Sequence, residues 1–391
     1  MKKLLSFVTC LLLLCGVVLL SSCIAPSGDY VSDDPTEVTS ASPSGNEADD
    51  DLPPNWEPAA PLPDDAVILN DETGIPDVAL YIAVLRAIDH DRMWHFAETG
   101  EGTFTAGEAA AITSLTIRPA GSSTDVDEPP PSRFWYPPRN LRGIEHLRSL
   151  EELRLFLSAD FGRLGAGLES VNELRRLEHL PYLRVFDYRE GHAVEQSQLD
   201  SLKPLQNLTR LTDLGISATR LISLNGIQNL TNLENLRVWA SLTNLRGIEH
   251  LSNLRHLEVS GNRLTSLNEL RGLVSLTHVA ARENRLTDIN AVAYLPNLEV
   301  LDVSRNRLEQ LPDLTDSDLV AQIESSSSPF SHVRGTSFSE NRLSREQLER
   351  NLPISLLQPQ NGQMFYLDGV GAVNWLEMQL STQNGGLGQS A

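Results

Sequence analysis

The chain has 391 residues, with 31 basic against 52 acidic side chains and a formal net charge of −21 at pH 7. That balance excludes a non-specific nucleic-acid binder, which needs basic surface. All three cysteines, Cys10, Cys15 and Cys23, lie near the N-terminus, so the remainder of the sequence has no disulfide, no cysteine-ligated zinc and no cysteine nucleophile.

Met1-Lys2-Lys3 followed by an apolar run over residues 4–20 reads as a secretory signal spanning 1–22. The run falls short of the ~20 residues of a comfortable membrane span. Leu20-Ser21-Ser22-Cys23 resembles the bacterial lipobox. That resemblance implies cleavage before Cys23 and acylation there, so Cys23 is the expected lipid attachment site. The bilayer is then a partner that the chain sits on without spanning, and the protein is exported and held at the cell envelope. Residues 24–66 carry eleven acidic residues, eight prolines and no basic residue. Too little of that segment can be buried to offset the entropy of ordering it, so 23–66 is predicted to be an extended, self-repelling stalk, Trp56 included.

Residues 67–111 are predicted to form a helical N-terminal cap. A helical pattern begins at Ile75-Pro76-Asp77-Val78, with Pro76 near its first turn and Leu80, Val84 and Ile88 recurring on one face. Thr105-Ala106-Gly107-Glu108 has the form of a capping box and opens a second short helix that leads into a strand at Ile112. Asp89, Asp91, His95 and Glu98 are metal-ligand types, but they lack the glycine of a calcium loop and read as solvated where the cap turns.

Repeats occupy 112–343. Leu254-x-x-Leu257-x-Val259-x-x-Asn262-x-Leu264 recurs from Leu276 and again from Leu298. This is the leucine-rich-repeat pattern L-x-x-L-x-L-x-x-N-x-L. Weaker copies start at Leu233 and Leu211, and copies separated by insertions start at Leu183, Leu150 and Ile112. A last copy runs from Val333 to Leu343, giving about nine turns with one strand each. The alternating apolar residues of a turn can bury their inward face only by stacking on neighbouring turns. Asn262, Asn284, Asn306 and Asn341 are predicted to satisfy the backbone of the inward bend. The return segments, such as Leu141-Arg142-Gly143-Ile144-Glu145-His146-Leu147, should form short helices or turns with their histidines in solvent. Residues 344–391 are predicted to be a C-terminal cap, opening on Ser344-Arg345-Glu346-Gln347-Leu348, and a polar tail.

The fold class expected is therefore α/β, a leucine-rich-repeat solenoid. It has a curved parallel β-sheet on the concave face, short helices or turns on the convex face, and a helical N-terminal cap. Cap and repeats together resemble the internalin-like family of bacterial leucine-rich-repeat proteins over residues 68–343. The resemblance implies adhesion or partner capture at the cell surface.

Outward strand positions are the candidate site. They include Arg154 and Phe156, Asp187 and Arg189, Arg237 and Trp239, His256 and Glu258, His278 and Arg282, and beyond these Val300 and Asp302. Tryptophan and arginine carry interface energy, and arginines gathered on one face of an acidic protein fit a protein partner with an acidic surface. His256 and His278 should stand about 4.8 Å apart on adjacent strands. They are read as exposed, with a pH-sensing or metal-binding pair as the sharper alternative. Insertions at 119–140, 158–170 and 190–200 all follow strands, which puts them along one edge, and the first holds the Phe134-Trp135-Tyr136 triplet. No catalytic motif in a fitting context is present, and no cofactor or metal is expected. The leading expectation is a surface protein that binds a macromolecule. A carbohydrate receptor is the alternative, and an enzyme seated in the insertions is a more distant one.

Overall fold

The computed structural model describes residues 60–118, 137–157, 167–190, 199–320, 335–353 and 356, together with two short C-terminal strands. The chain divides into Met1–Leu52 and Pro53–Ala391, and every described residue belongs to the second unit. The expected signal, Cys23, most of the stalk, the Phe134-Trp135-Tyr136 triplet and the bulk of the insertions lie outside the described residues.

The predicted stalk ends earlier than residue 66. Leu62 packs against the core, Arg148 donates to its carbonyl at 3.1 Å, and the Gly107 amide donates to the Asp64 carbonyl at 2.9 Å. The cap then contains strand β1 (Val67–Ile68), helices α1 (Val78–Ile88) and α2 (His90–Thr99), strand β2 (Phe104–Thr105) and helix α3 (Ala106–Ala110). Strands β1 and β2 pair antiparallel, an element the sequence reading did not contain. Pro76 stands just before the cap residue of α1 rather than inside its first turn. One carboxylate does two jobs at that point. Asp77 caps α1 by accepting the Ala79 and Leu80 amides at 2.9 and 3.0 Å, and its other oxygen accepts the Arg139 amide at 2.7 Å, which ties the cap to the repeats. The buried hydroxyl of Tyr81 donates toward the carbonyls of Ile68 and Gly102, and burial pushes that phenol up to about 12. The Thr105–Glu108 capping box forms in full at α3.

The repeats build an eight-stranded parallel sheet: β3 (Ser114–Ile117), β4 (Glu152–Phe156), β5 (Val185–Arg189), β6 (Asp213–Ser217), β7 (Asn235–Trp239), β8 (His256–Glu258), β9 (His278–Ala280) and β10 (Val300–Asp302), each paired with the next. Leu115, Leu153, Phe186, Leu214, Leu236, Leu257, Val279 and Leu301 align across it, so the register holds through every insertion. All eight are buried. The ninth expected strand is reduced to a single bridge between Asp302 and Ser337. There the Thr336 hydroxyl accepts the Leu301 amide at 3.3 Å, a place a strand carbonyl would otherwise take. Helix α4 (Arg345–Asn351) follows, opened by a Ser344–Gln347 capping box, and strands β11 (Phe365–Leu367) and β12 (Val370–Val373) pair antiparallel beyond it.

The buried asparagines link successive turns. Asn284 donates to the Val259 and Ala281 carbonyls at 2.9 and 3.1 Å, while its amide oxygen accepts the Leu264 N–H at 3.0 Å. Asn262, Asn306 and Asn341 repeat that pattern. A second ladder runs along the opposite edge, where Asn232, Asn253 and Asn297 each donate to a carbonyl of the preceding turn at 2.8 to 2.9 Å. Return segments fold back through glycine. Gly226 and Gly247 have φ of 115° and 109°, and a Cβ on either would fall 2.3 and 2.9 Å from backbone of the neighbouring turn. His146 on such a segment is buried rather than solvated, because it packs inward between Ile144 and Leu147, and burial lowers its pKa.

Candidate functional site

Strand alternation turns three residues of a five-residue strand toward the concave side, and parallel pairing stacks like positions into rows. The middle row runs Arg154, Asp187, Gly215, Arg237, Glu258, Ala280 and Asp302. The next row runs Phe156, Arg189, Ser217 and Trp239. Strand β6 therefore contributes only Gly215 and Ser217 to these two rows, and the missing side-chain volume makes a notch between larger neighbours.

The neighbours lean into that notch. A Cβ on Gly215 would lie 2.7 Å from Asp187 Oδ1 and 3.5 Å from Arg237 Nη2. Asp187 is 3% exposed and binds the Arg189 guanidinium through Nε–Oδ1 and Nη2–Oδ2 contacts of 3.1 and 2.8 Å. Across Ser217, the same guanidinium lies 5.6 Å from the Trp239 ring, and on its other side 5.2 Å from the Phe156 ring. Arg189 is thus held edge-on by a buried carboxylate and covered by two aromatic faces while it remains exposed. Few side-chain rotamers are left for it to lose on binding.

Asp187 and Glu258 are buried instead of presented to solvent, since longer neighbours close over them. Glu258 is 0% exposed and accepts the Ser260 amide at 3.1 Å. Val300, expected on the open face, is also covered. Asp302 is half-buried; burial raises its pKa, and the Ser304 amide and hydroxyl, at 3.0 and 2.6 Å, oppose that rise. The other predicted residues are reachable. Arg154 pairs with Glu152, Arg282 pairs with Glu283 at 3.1 Å, and Phe156, Arg237 and Trp239 are part-exposed. Arg154, Arg189 and Arg282 are therefore already paired with acids.

His256 and His278 face each other with ring centroids 4.7 Å apart, at the spacing the repeat predicts. They are half-buried, not freely exposed. Burial lowers both, His256 to about 4, with the neighbouring His278 adding to the effect. Among the described residues no group of three or more His, Cys, Asp or Glu side chains could hold a metal ion, so Glu258 does not complete a site with the pair. Asp89, Asp91, His95 and Glu98 are exposed on or beside α2, and Asp89 caps that helix by accepting the Asp91 and Arg92 amides.

A groove of about 560 Å³ lies at the strand-entry edge, lined by residues that include Tyr182, Arg184, Arg210 and Glu234. The sequence reading missed it. Its signal was visible in the second asparagine ladder: Tyr182 and Arg210 stand in the slot that Asn232, Asn253 and Asn297 fill in later turns. Gly215 and Ser217 were missed too, because a search for recognition residues looks for large side chains and not for the gap between them.

No family model and no curated protein matches the chain. Solved structures do. Internalin C2 of Listeria monocytogenes is 22% identical, covering 62% of this chain and 91% of that one, with a TM-score of 0.46. An internalin of the same organism, internalin F, is 20% identical over 69% and 71% of the two chains, with a TM-score of 0.40. A leucine-rich-repeat protein of Leptospira interrogans is 18% identical over 53% and 65%, with a TM-score of 0.30. The likeness concerns the fold alone.

Proposed function

We propose that the protein is displayed at the cell envelope through lipid on Cys23 and captures a protein partner on the concave face, at the notch over β6. The observation that carries this reading is the Arg189 guanidinium, fixed by buried Asp187 and sandwiched between Phe156 and Trp239 at an open surface. Such a cluster adds nothing to the core, yet it joins the two residue types that dominate interface energetics in a pre-set geometry. Arg154, Arg237 and Arg282 extend the face on either side, with the His256–His278 pair beside it. Asp187 acts from beneath, holding the Arg189 guanidinium in place instead of touching the partner, and buried Glu258 lies under the same face. Among the described residues no helix is long and apolar enough to cross a membrane. The anchor of this reading is Cys23, which follows Leu20-Ser21-Ser22.

The test compares capture of labelled cell-surface proteins by the parent chain and by Trp239→Ala, with a glycan array in parallel. A protein retained by the parent and weakened by about 2 kcal/mol or more in the variant, with thermal stability unchanged, is the expected result. Retention of the same partner at equal affinity, or binding to glycans only, contradicts it.

A further inference from the structure

In the last four turns the bend places an arginine between the inward asparagine and the next inward leucine. Arg263, Arg285, Arg307 and Arg342 occupy that slot in four successive turns, and all four are exposed. Their amides donate to Leu242, Leu264, Leu286 and Leu308 carbonyls at 2.9 to 3.0 Å, so the backbone locks the row in register. Neighbouring turns stack at about 4.8 Å, which spreads the row over roughly 14 Å. Arg342 pairs with Glu309 at 2.9 Å. The side chains of Arg263, Arg285 and Arg307 have no hydrogen bond, ion pair or ring contact with any described residue. The nearest parallel row does not compensate them, because Arg305 is bound there between Glu283 and Glu340 at 2.6 and 2.8 Å. Three guanidinium groups in line with no partner among the described residues, on a chain whose carboxylates outnumber its cations, form a local positive stripe.

We propose that this rim is a second binding site, separate from the concave notch, for an extended sulfated polysaccharide. Guanidinium forks match the oxygens of tetrahedral anions, and a row of single charges at even spacing suits a linear polymer. The flanking positions, Thr265, Thr287 and Glu309, supply no aromatic platform on which unpaired bases would stack. They also supply no apolar patch of the kind that centres a protein interface. What remains is recognition by charge and spacing along an edge.

A fluorescent heparin oligosaccharide long enough to span the row tests this by anisotropy with the intact domain at physiological salt. Removing Arg263, Arg285 and Arg307 together as glutamines should weaken binding about tenfold or more and flatten its salt dependence by about one log unit per arginine. Arg246→Gln, Arg255→Gln and Arg350→Gln together remove the same charge elsewhere and should leave affinity within about twofold, and Trp239→Ala should leave it unchanged. Equal loss in the two triple variants, no loss in the rim variant or no binding by the parent overturns the site. Tighter binding of poly(glycerol phosphate) or single-stranded DNA than of heparin overturns the sulfated ligand. Because Trp239→Ala probes the notch alone, failure here is distinguishable from failure of the protein-capture reading.

Discussion

His256 and His278 illustrate how a repeat sets chemistry one residue at a time. Identical slots in adjacent turns force two imidazoles to within 4.7 Å, and their shared, half-buried position disfavours charge on either. The unfolded chain takes up a proton at His256 near the ordinary 6.5, whereas the folded chain does so only near 4. Stability is therefore full above about pH 6.5 and declines as pH falls toward about 4, with His278 contributing in the same direction. Because His256 is only half-buried, its share is about 1 kcal/mol rather than the full value of the shift. Denaturant melts of the parent and of His256→Gln between these pH values check it. The variant should lose part of the acid-side decline, and identical profiles would remove His256 from the account. The position of this pair was legible in the sequence because spacing alone dictates it. Its burial was not, since alternation tells which side a residue faces and not what closes over it. Glu258 and Asp187 failed to be foreseen for the same reason.

At the scale of elements, the strands were legible and their termini less so. Five repeated positions fix inward and outward faces, and a slip of one residue would expose an entire apolar set, so the register survives each insertion. Helix α2 was not separated from α1 because Asp89 closes one helix and caps the next, with no glycine or proline between them. Strands β1 and β2 are two residues each, too short for alternation to register. Packing predictions belong here. Leu257→Ala, at a fully buried position in the centre of the sheet, should cost about 2 to 5 kcal/mol. Glu258→Ala on the neighbouring position should cost about 1 to 3 kcal/mol, not the near-zero change of an exposed residue, because it strips a buried acceptor from the Ser260 amide and a carboxylate from a charged row. Chemical denaturation of both variants measures this, and a neutral Glu258→Ala would show that the carboxylate does not hold the row.

For the whole molecule, the solenoid was readable because one supersecondary unit repeats, whereas the site was readable only in part. Trp239, Phe156 and Arg189 could be chosen by residue type. The notch that gathers them depends on Gly215 and Ser217, two small residues whose meaning appears once strands β5, β6 and β7 are side by side. Envelope attachment is a separate expectation at this scale. Cys23→Ala should release the protein from membranes and abolish fatty-acid labelling, and a variant that remains membrane-bound would place the anchor elsewhere. Hydroxyl-radical footprinting of the complex with a captured partner, read residue by residue by mass spectrometry, tests the concave-face account most directly. Protection of Trp239 and Phe156, with exposed Tyr294 on the return side and Tyr182 at the entry edge unchanged, is the expected result. Protection of Tyr182 or Tyr294 with Trp239 and Phe156 still oxidised at their free rates would contradict it.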